Sequence, residues 1–248
     1  MPSISKIQLR VRSNAPVCRN CLRLELEGTG IPAVAPGQFV HLGVPGKFLR
    51  RPISVHDSSS EGIVLIYKTV GEGTRILSGM GEGECVDVLL PLGNGFDTSQ
   101  CSHRALLLGG GLGSAPLYLL GRQLLAEGRD VSVIMCFNTA ADVCLAEEYR
   151  ELGIEPVIVT LDGSAGLKGM VTDVELPEHD CFYTCGPLPM MRAVCKMLDT
   201  PGQVSMEERM GCGAGFCYGC SIQTHSGPAR VCADGPVFNK RDIIWQET

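Results

Sequence analysis

Four cysteines near the C-terminal end of the chain have a spacing that can bind iron. They are Cys212, Cys217, Cys220 and Cys232. Their pattern, C-x4-C-x2-C-x11-C, is the plant-type pattern of a [2Fe–2S] cluster. Glycines between the first three cysteines permit the positive φ angles that a tight loop around an inorganic core requires. The spacing therefore predicts that these cysteines bind a [2Fe–2S] cluster and that the protein transfers single electrons.

Structural zinc is the alternative ligand for these thiols. Zinc sites typically use two short-spaced pairs of ligands, and a four-then-two spacing with a distant fourth thiolate fits that pattern poorly. A separate C-x2-C pair, Cys18 and Cys21, could also carry redox chemistry or bind zinc. Outside the cluster motif, the sequence has no second C-x2-C pair to complete a zinc site, and Cys18 and Cys21 lie in a segment where apolar and polar residues alternate as in a strand. We therefore favour a structural interpretation of Cys18 and Cys21 and leave a chemical role open.

Length and composition argue against several classes of protein. The chain has 248 residues, which suits two domains and a small appendage. Its net charge of −6 disfavours nucleic acid or an anionic membrane as a partner. The longest run without charged residues or histidine, between Arg104 and Arg122, contains a glycine cluster, so no membrane span is predicted. Thirteen cysteines, with no signal peptide expected, indicate a reducing cytoplasm.

The first hundred residues predict a small antiparallel β-barrel. Short segments of alternating apolar and polar residues are separated by glycine and proline, which is typical of such barrels. Phe39–Leu42, Ile63–Tyr67 and Val86–Leu90 are examples of the predicted strands. Helical periodicity is nearly absent in this region, and one short helix is expected over Thr74–Met80.

Two motifs in this region could bind a flavin dinucleotide. Arg51, held beside Pro52, can pair with a diphosphate, and the Ser54 hydroxyl can reach a flavin ring nitrogen. Gly73 and Thr74 belong to a glycine turn leading into a helix, whose free N–H groups would receive the other side of the diphosphate. Each motif is commonplace by itself, and only their order and separation give them weight.

The central region predicts a nucleotide-binding α/β domain. Ala105–Leu108 is a continuous apolar run that suits a strand buried on both faces of a parallel sheet. A glycine turn and a helix follow, which is how a dinucleotide site opens. Pro116 stands where the G-x-G-x-x-G pattern has its third glycine, and proline is well tolerated in the first turn of a helix.

Strands and helices then alternate to about residue 200, which indicates a parallel sheet with helices on its faces. Ligands of such sheets bind beyond the carboxyl ends of the strands, where we expect Gly111, Asn138 and Cys185 to gather. A 2′-phosphate calls for an arginine after the second strand, and Phe137–Asp142 offers none. NAD is therefore favoured over NADP, although no acidic residue stands at the immediate strand end either.

The barrel motifs resemble the FAD-binding barrel of the ferredoxin–NADP reductase superfamily, which has an Arg-x-x-Ser strand and a later Gly-x-Gly-Thr turn. The resemblance implies bound FAD, with a strand lying along the flavin between the two motifs. The residues that it implies for FAD are Arg51, Pro52, Ile53, Ser54, Ile66, Tyr67, Lys68, Gly73 and Thr74. Many members have a stacking tyrosine where this chain has Ile53. Stacking must then be aliphatic or come from elsewhere, and Tyr67 is one candidate.

The central region resembles the same superfamily, through its Gly-Gly-x-Gly-x-Ala-Pro turn and a later Cys-Gly-Pro motif near the nicotinamide ring. The resemblance implies that NAD is bound by Gly110, Gly111, Gly113, Cys185, Gly186 and Pro187. It also implies that Cys185 is the catalytic residue. The alternative is a buried structural cysteine before a Gly-Pro turn.

Flavin barrel, nucleotide sheet and cluster segment cover the chain as residues 1–99, 100–200 and 201–248. Together with Glu-Arg-Met-x-Cys-Gly-x-Gly-x-Cys-x-x-Cys and the segment Val231–Phe238, this order resembles the electron-transfer subunits of NAD-dependent (type B) dihydroorotate dehydrogenase. That family implies a separate FMN-containing catalytic subunit, a heterotetramer of two plus two, and a role in pyrimidine (UMP) biosynthesis. Electrons would pass from FMN through the cluster and FAD to NAD.

Simple chemistry agrees with a chain that transfers electrons to NAD and a separate chain that oxidises dihydroorotate. A flavin can accept single electrons and release a hydride, so FAD is the converter that a cluster and a nicotinamide need between them. No length remains for a typical (β/α)₈ barrel of about 250 residues, so dihydroorotate oxidation is expected on another chain. Two alternatives stay open. The same modules could serve a hydrogenase- or sulfide-linked complex, or the chain could be a zinc-stabilised nucleotide-binding module without redox activity.

Overall fold

The computed structural model describes residues 4–245, and its N-terminal part is a closed antiparallel barrel. The barrel strands are β1 (Ser5–Cys18), β2 (Cys21–Glu27), β3 (Phe39–Leu42), β4 (Arg51–Ser58), β5 (Gly62–Lys68) and β6 (Cys85–Leu92). They close in the order β1-β2-β5-β4-β3-β6. The predicted antiparallel barrel is confirmed.

One short helix, α1 (Glu72–Ser78), connects β5 to β6. It begins two residues earlier than predicted because Gly71, in extended conformation, serves as its N-cap. The Thr74 hydroxyl accepts hydrogen bonds from the backbone N–H groups of Val70 and Gly71 at 3.0 and 3.1 Å. These bonds fix the glycine turn relative to the helix.

Strand β3 is buried on both of its faces. Val40 and Leu42 belong to the apolar core inside the barrel, as the alternation of a strand predicts. Phe39 and His41 lie on the outer face, yet they are 3% and 0% exposed. Something outside the barrel therefore covers this strand, and the covering element is the C-terminal segment.

The second part of the fold is a parallel sheet with helices on its faces, as predicted. Its first strands are β7 (Arg104–Gly110), β8 (Asp130–Phe137), β9 (Val157–Thr160), β10 (Leu167–Lys168) and β11 (Cys181–Cys185). The helices are α2 (Ala115–Ala126), α3 (Ala146–Glu151) and α4 (Leu188–Met197). Within residues 4–245, none of the helices combines the length and the apolar composition of a membrane span.

The C-terminal segment shares this sheet. Its strands are β12 (Gly202–Ser205), β13 (Ser221–Thr224), β14 (Gly227–Arg230) and β15 (Val237–Asn239). Strand β12 pairs parallel with β11, and β15 pairs antiparallel with β12, which gives the order β10-β9-β8-β7-β11-β12-β15. Strands β13 and β14 form a separate hairpin. The boundary expected at residue 200 thus falls between two neighbouring strands of one sheet.

Apolar packing and hydrogen bonds attach the same segment to the barrel. Phe39 and Leu92 of the barrel pack in one cluster with Met206, Cys220 and Val231. The Asn94 side-chain amide donates to the carbonyl oxygens of residues 233 and 234 at 3.0 and 3.1 Å. The segment therefore fixes the position of the cysteine loop against both larger parts of the fold.

A charged network joins the barrel directly to the sheet. The buried His56 ring faces the Ala115 carbonyl oxygen at 2.9 Å from Nδ1, and its Nε2 contacts the Glu148 carboxylate. Arg23 donates to the other oxygen of Glu148 at 2.9 Å. Burial would raise the pKa of Glu148, but His56 and Arg23 lower it below its ordinary value. Both ring nitrogens of His56 thus contact oxygen atoms of the α/β part, and these contacts tie the barrel to the sheet.

Candidate functional site

A cavity of about 1290 Å³ lies where the barrel, the sheet and the C-terminal segment meet. Eleven of the residues predicted to bind FAD or NAD line it. They are Arg51, Pro52, Ile53, Ser54, Ile66, Tyr67, Lys68, Thr74, Gly110, Gly111 and Pro187. Residues that are far apart in sequence therefore meet at one site large enough for a dinucleotide-sized ligand.

On the barrel side, the two predicted diphosphate motifs are in contact. Gly73 does not line the cavity, because the Arg51 guanidinium group lies directly against it. A Cβ atom at Gly73 would lie 2.2 Å from Arg51 Nε, so any side chain there would displace the arginine. The glycine turn and the arginine thus form one cationic corner of the cavity, beside the first turn of α1. A diphosphate fits this corner.

The strand predicted to lie along the flavin lines the cavity, but the Tyr67 ring turns into the barrel core. The Tyr67 side chain is 2% exposed and packs inside the barrel core. Its hydroxyl group donates to Asn14 Oδ1 at 3.0 Å. Stacking of Tyr67 on a flavin is therefore wrong, because alternation along β5 places this ring on the inner face. Ile53, which lines the cavity, remains the aliphatic candidate.

On the sheet side, the glycine turn places bare backbone at the carboxyl ends of β7 and β11. Gly111 has φ +56 and faces open space, which suits close approach by a ligand. Gly113 has another role, because a Cβ atom there would lie 2.2 Å from the Cys185 carbonyl oxygen. Asn138, at the end of β8, lines the cavity together with Gly111, as predicted from the sheet order.

Cys185 ends β11 as expected, but it lies behind the cavity wall. Its side chain is 0% exposed, and burial raises the pKa of the Cys185 thiol well above its ordinary value. The neighbouring Gly186 and Gly113 are likewise not part of the lining. The thiol is thus held neutral and out of direct reach of the cavity. A catalytic role for Cys185 stays a prediction, and the arrangement agrees with the structural alternative.

Three acidic residues that line the cavity, Asp142, Glu207 and Glu208, were missed by sequence reasoning. Asp142 lines it near the end of β8 and accepts hydrogen bonds from Arg19 at 2.8 and 2.9 Å. Glu207 lines it from the C-terminal segment; this residue is exposed, yet nearby protein atoms partly desolvate its carboxyl group and raise its pKa. The only sequence signal for Glu207 was its position just before the cysteine motif. None of the three residues belongs to a recognisable nucleotide motif.

The four predicted iron ligands form two neighbouring pairs in the loop between β12 and β13 and the turn after β14. Cys212 lies beside Cys217, and Cys220 lies beside Cys232. Within residues 4–245, no three side chains of metal-binding type converge on a single ion. Two pairs, one for each iron, are the donor arrangement that a two-iron cluster requires, whereas one zinc ion needs a single tetrahedral set.

Backbone N–H groups of the loop point at the cysteine sulfurs. Gly215 donates to Cys232 Sγ at 3.2 Å, and Phe216 donates to Cys212 Sγ at 3.3 Å. Burial raises the pKa of the Cys212 thiol, but N–H groups outweigh it and lower this pKa to about 6. A thiolate is the form that binds iron, so the loop fits the cluster by its donor set and by its charge.

The cluster loop is exposed on one side only. Cys220 and Cys232 are buried, whereas Cys217 is exposed. Phe216 and Tyr218, which flank Cys217, are 84% and 65% exposed. One pair of ligands thus faces the protein interior and the other lies beside two exposed aromatic rings. Aromatic residues at a surface of this kind are typical of protein–protein interfaces.

Comparison with known proteins gives consistent matches. Residues 207–244 match the family described as the iron–sulfur cluster binding domain of dihydroorotate dehydrogenase B. Two similar proteins carry the name dihydroorotate dehydrogenase B (NAD(+)), electron transfer subunit. The one from Geobacillus sp. (strain WCH70) is 42% identical over 96% of this chain and 98% of its own. The one from Lysinibacillus sphaericus (strain C3-41) is 43% identical over 97% and 99%.

Solved structures share the fold. An NADH-dependent reduced ferredoxin–NADP oxidoreductase, described for flavin-based electron bifurcation, superposes with a TM-score of 0.87 and is 27% identical. The match covers 96% of this chain and 90% of that one. Phthalate dioxygenase reductase superposes with a TM-score of 0.67 at 20% identity, over 90% of this chain and 87% of that one. The latter similarity concerns the fold alone.

Proposed function

The chain belongs to the family of dihydroorotate dehydrogenase B (NAD⁺) electron transfer subunits, and from that premise we propose that it passes electrons from a dihydroorotate-oxidising partner subunit to NAD⁺. The pathway served is pyrimidine (UMP) biosynthesis. One observation carries the proposal beyond family membership. The segment that holds the cluster cysteines also lines the cavity, through Met206, Glu207 and Met210, so the two redox sites share one wall.

The residues divide into three binding sets. Arg51, Ser54, Ile53 and the turn at Gly73 and Thr74 hold FAD. Gly110, Gly111 and Pro187 hold NAD at the sheet edge, and the two cysteine pairs hold the [2Fe–2S] cluster. When bound, FAD exchanges single electrons with the cluster and a hydride with the nicotinamide. Residues 1–99, 100–200 and 201–248 are the proposed domains for these three groups.

The protein's own side chains have separate tasks in this scheme. Arg51 neutralises and orients the diphosphate at the barrel corner, where a bidentate contact would fix its position. Asp142 neutralises Arg19 near the end of β8, which supports an unphosphorylated ribose and hence NAD rather than NADP. Glu207 brings a carboxyl group of raised pKa to the cavity, where it can hold a proton.

The partner docks on the exposed side of the cluster loop. Phe216 and Tyr218 offer apolar contact area on either side of Cys217, so a partner seated there would bring its own redox centre close to the cluster. We identify this partner as the FMN-containing catalytic subunit, in an assembly of two plus two, as the family resemblance implies. We place the complex in the cytoplasm, and the nine cysteines outside the cluster set, none of which forms a disulfide in the described part of the chain, support a reducing compartment.

Reconstitution tests the proposal. The chain is co-purified with its partner, and dihydroorotate-dependent formation of NADH is measured with the complex and with the chain alone. We expect the complex to form NADH and the chain alone to catalyse only NADH oxidation by a small dye. Recovery of hydrogenase chains, with no dihydroorotate activity, would instead favour the alternative complex. A colourless, flavin-free protein with one zinc ion would refute both redox functions.

A further inference from the structure

His41 lies directly beneath the loop that carries the cluster cysteines. Its side chain is 0% exposed and belongs to the outer face of β3. A Cβ atom at Gly213 would lie 2.4 Å from the ring atom Cε1, 2.5 Å from Nε2 and 2.8 Å from Nδ1. The ring edge with both nitrogens therefore points at the loop backbone one residue after the iron ligand Cys212.

Neither nitrogen of this ring has a hydrogen-bond partner within the described part of the chain. Arg50 is nearby, but its guanidinium donates to the His41 backbone carbonyl at 3.3 Å and not to the ring. An imidazole carries at least one N–H in either protonation state. Buried donors are nearly always paired in folded proteins, so an unpaired one needs an explanation.

The position of β3 supplies the explanation. His41 is not in the lining of the FAD cavity, but its cross-strand neighbour Pro52 is. The ring is thus placed between the flavin site and the cysteine loop, on the loop side. The loop supplies backbone N–H groups to the cysteine sulfurs from its own side, as Gly215 and Phe216 show. An iron–sulfur group held by this loop would offer His41 a sulfur atom as acceptor.

We propose that His41 donates a hydrogen bond from its ring to a sulfur of the cluster and thereby raises the reduction potential of the cluster. The inference rests on the cluster assigned under the proposed function. Reduction adds negative charge to the cluster, and hydrogen bonds to its sulfurs are one of the features that set the potential. His41 acts through the cluster and sets the driving force for electron exchange with the flavin.

A redox titration of the full chain, loaded with FAD and cluster and monitored by electron paramagnetic resonance, tests this directly. His41→Phe keeps an aromatic ring but removes the donor. We expect its cluster to be about tenfold harder to reduce at a fixed potential, a shift of about 59 mV to more negative values for one electron. His41→Gln, which restores an N–H, is expected to recover most of the shift.

Leu89→Val is the matched control, because Leu89 pairs with His41 across β3 and β6 and carries no polar group. It is expected to leave the cluster potential unchanged, and the flavin potential in the same titration should be unchanged in all three variants. A wild-type cluster potential in His41→Phe would overturn the inference. A similar shift in Leu89→Val would also overturn it, because packing would then be the cause.

Isotope labelling gives a second readout that does not depend on a variant. In the wild-type chain with ¹⁵N-labelled histidine, pulsed electron paramagnetic resonance of the reduced cluster should show coupling to a histidine nitrogen. The His41→Phe variant should lose this coupling. Absence of this coupling in the wild-type chain refutes the inference even if His41→Phe fails to assemble. Absence of any cluster signal refutes the proposed function instead, so the two failures are distinguishable.

Discussion

The two ends of the proposed electron path differ in how the protein treats them. At the sheet edge, the nicotinamide end lies in the cavity, where Gly111 presents bare backbone and Cys185 is buried behind the wall. At the cluster loop, Cys217 is exposed between two exposed aromatic rings. Hydride transfer requires direct contact in a fixed geometry, whereas a single electron can cross between proteins that merely dock. A cavity at one end and an exposed loop at the other agree with that chemical difference.

The largest effect is expected at the exposed end. Cys220→Ser removes one iron ligand, so electron flow between the chain and its partner should be abolished while NADH reduction of a small dye is largely retained. Cys85→Ser, at an exposed cysteine outside the loop, is the control and should change neither activity. Loss of dye reduction with FAD still bound would reverse the proposed order of centres.

At the cavity, Arg51→Ala should release FAD. Loss of a charge-assisted hydrogen bond corresponds to about 1.5–3 kcal/mol, or roughly ten- to hundredfold in Kd. Flavin release on gel filtration and a fluorescence titration measure it. Arg75→Ala, an exposed arginine at the end of α1, should retain FAD. Equal losses in both variants would show that general charge, rather than the corner at Gly73, holds the diphosphate.

Docking at the exposed end is expected to depend on the aromatic rings of the loop. Phe216→Ala should weaken partner binding by about 2 kcal/mol, roughly thirtyfold in Kd, with cluster content unchanged. Phe48→Ala is the matched control, because Phe48 is 99% exposed but lies between β3 and β4. Calorimetry with the purified partner measures both. A larger loss of partner affinity in Phe48→Ala than in Phe216→Ala would show that the partner docks on the barrel instead.

A smaller effect separates two glycines of one turn. Gly73→Ala places a Cβ atom against the Arg51 guanidinium and should weaken FAD binding by about 1 kcal/mol, since the arginine side chain can shift. Gly71→Ala meets open space and an extended backbone, so its affinity for FAD should match the wild type. Equal affinities for all three proteins would remove Gly73 from the proposed site.

The smallest expected effect concerns Glu207 and pH. The folded cofactor-free protein raises the pKa of Glu207, so the folded state favours the protonated carboxyl group. The resulting contribution to stability is fully present below the unfolded pKa and is lost as the pH rises through the folded pKa. In the Glu207→Gln variant, Tm should therefore vary less with pH in this range, and near neutral pH the variant should be more stable than the wild type. An unchanged profile would show that Glu207 is well hydrated.

Local patterns in the sequence were sufficient to predict the barrel, the sheet and the cysteines of the cluster motif. Alternation, apolar runs and fixed spacings are properties of neighbouring residues, so β3, β7 and the motif from Cys212 to Cys220 could be predicted. Gly73, Arg51, Gly113 and Cys185 were also identified from sequence motifs. Their contacts, Gly73 with Arg51 and Gly113 with Cys185, became visible only in the structure.

Long-range arrangements escaped sequence reasoning. Strand β15 joins the nucleotide sheet, and no local pattern distinguishes that from a free C-terminal segment. The inward direction of Tyr67 depends on the register of β5 in the barrel, which one residue of slip would reverse. His41 and Glu207 acquire their surroundings from elements more than a hundred residues apart, so neither was recognisable as a site residue.

Because β12 pairs with β15, the segment that carries the cluster loop is an insertion between two neighbouring strands of the sheet. Ser205 and Val237 face each other across these strands, so residues 206–236 leave the sheet and return to it at adjacent positions. A stretch anchored in this way can be exchanged between relatives, or varied in length, without altering the sheet register. The contact between His41 and Gly213 adds one condition, because a transplanted insert would need its matching β3 surface as well.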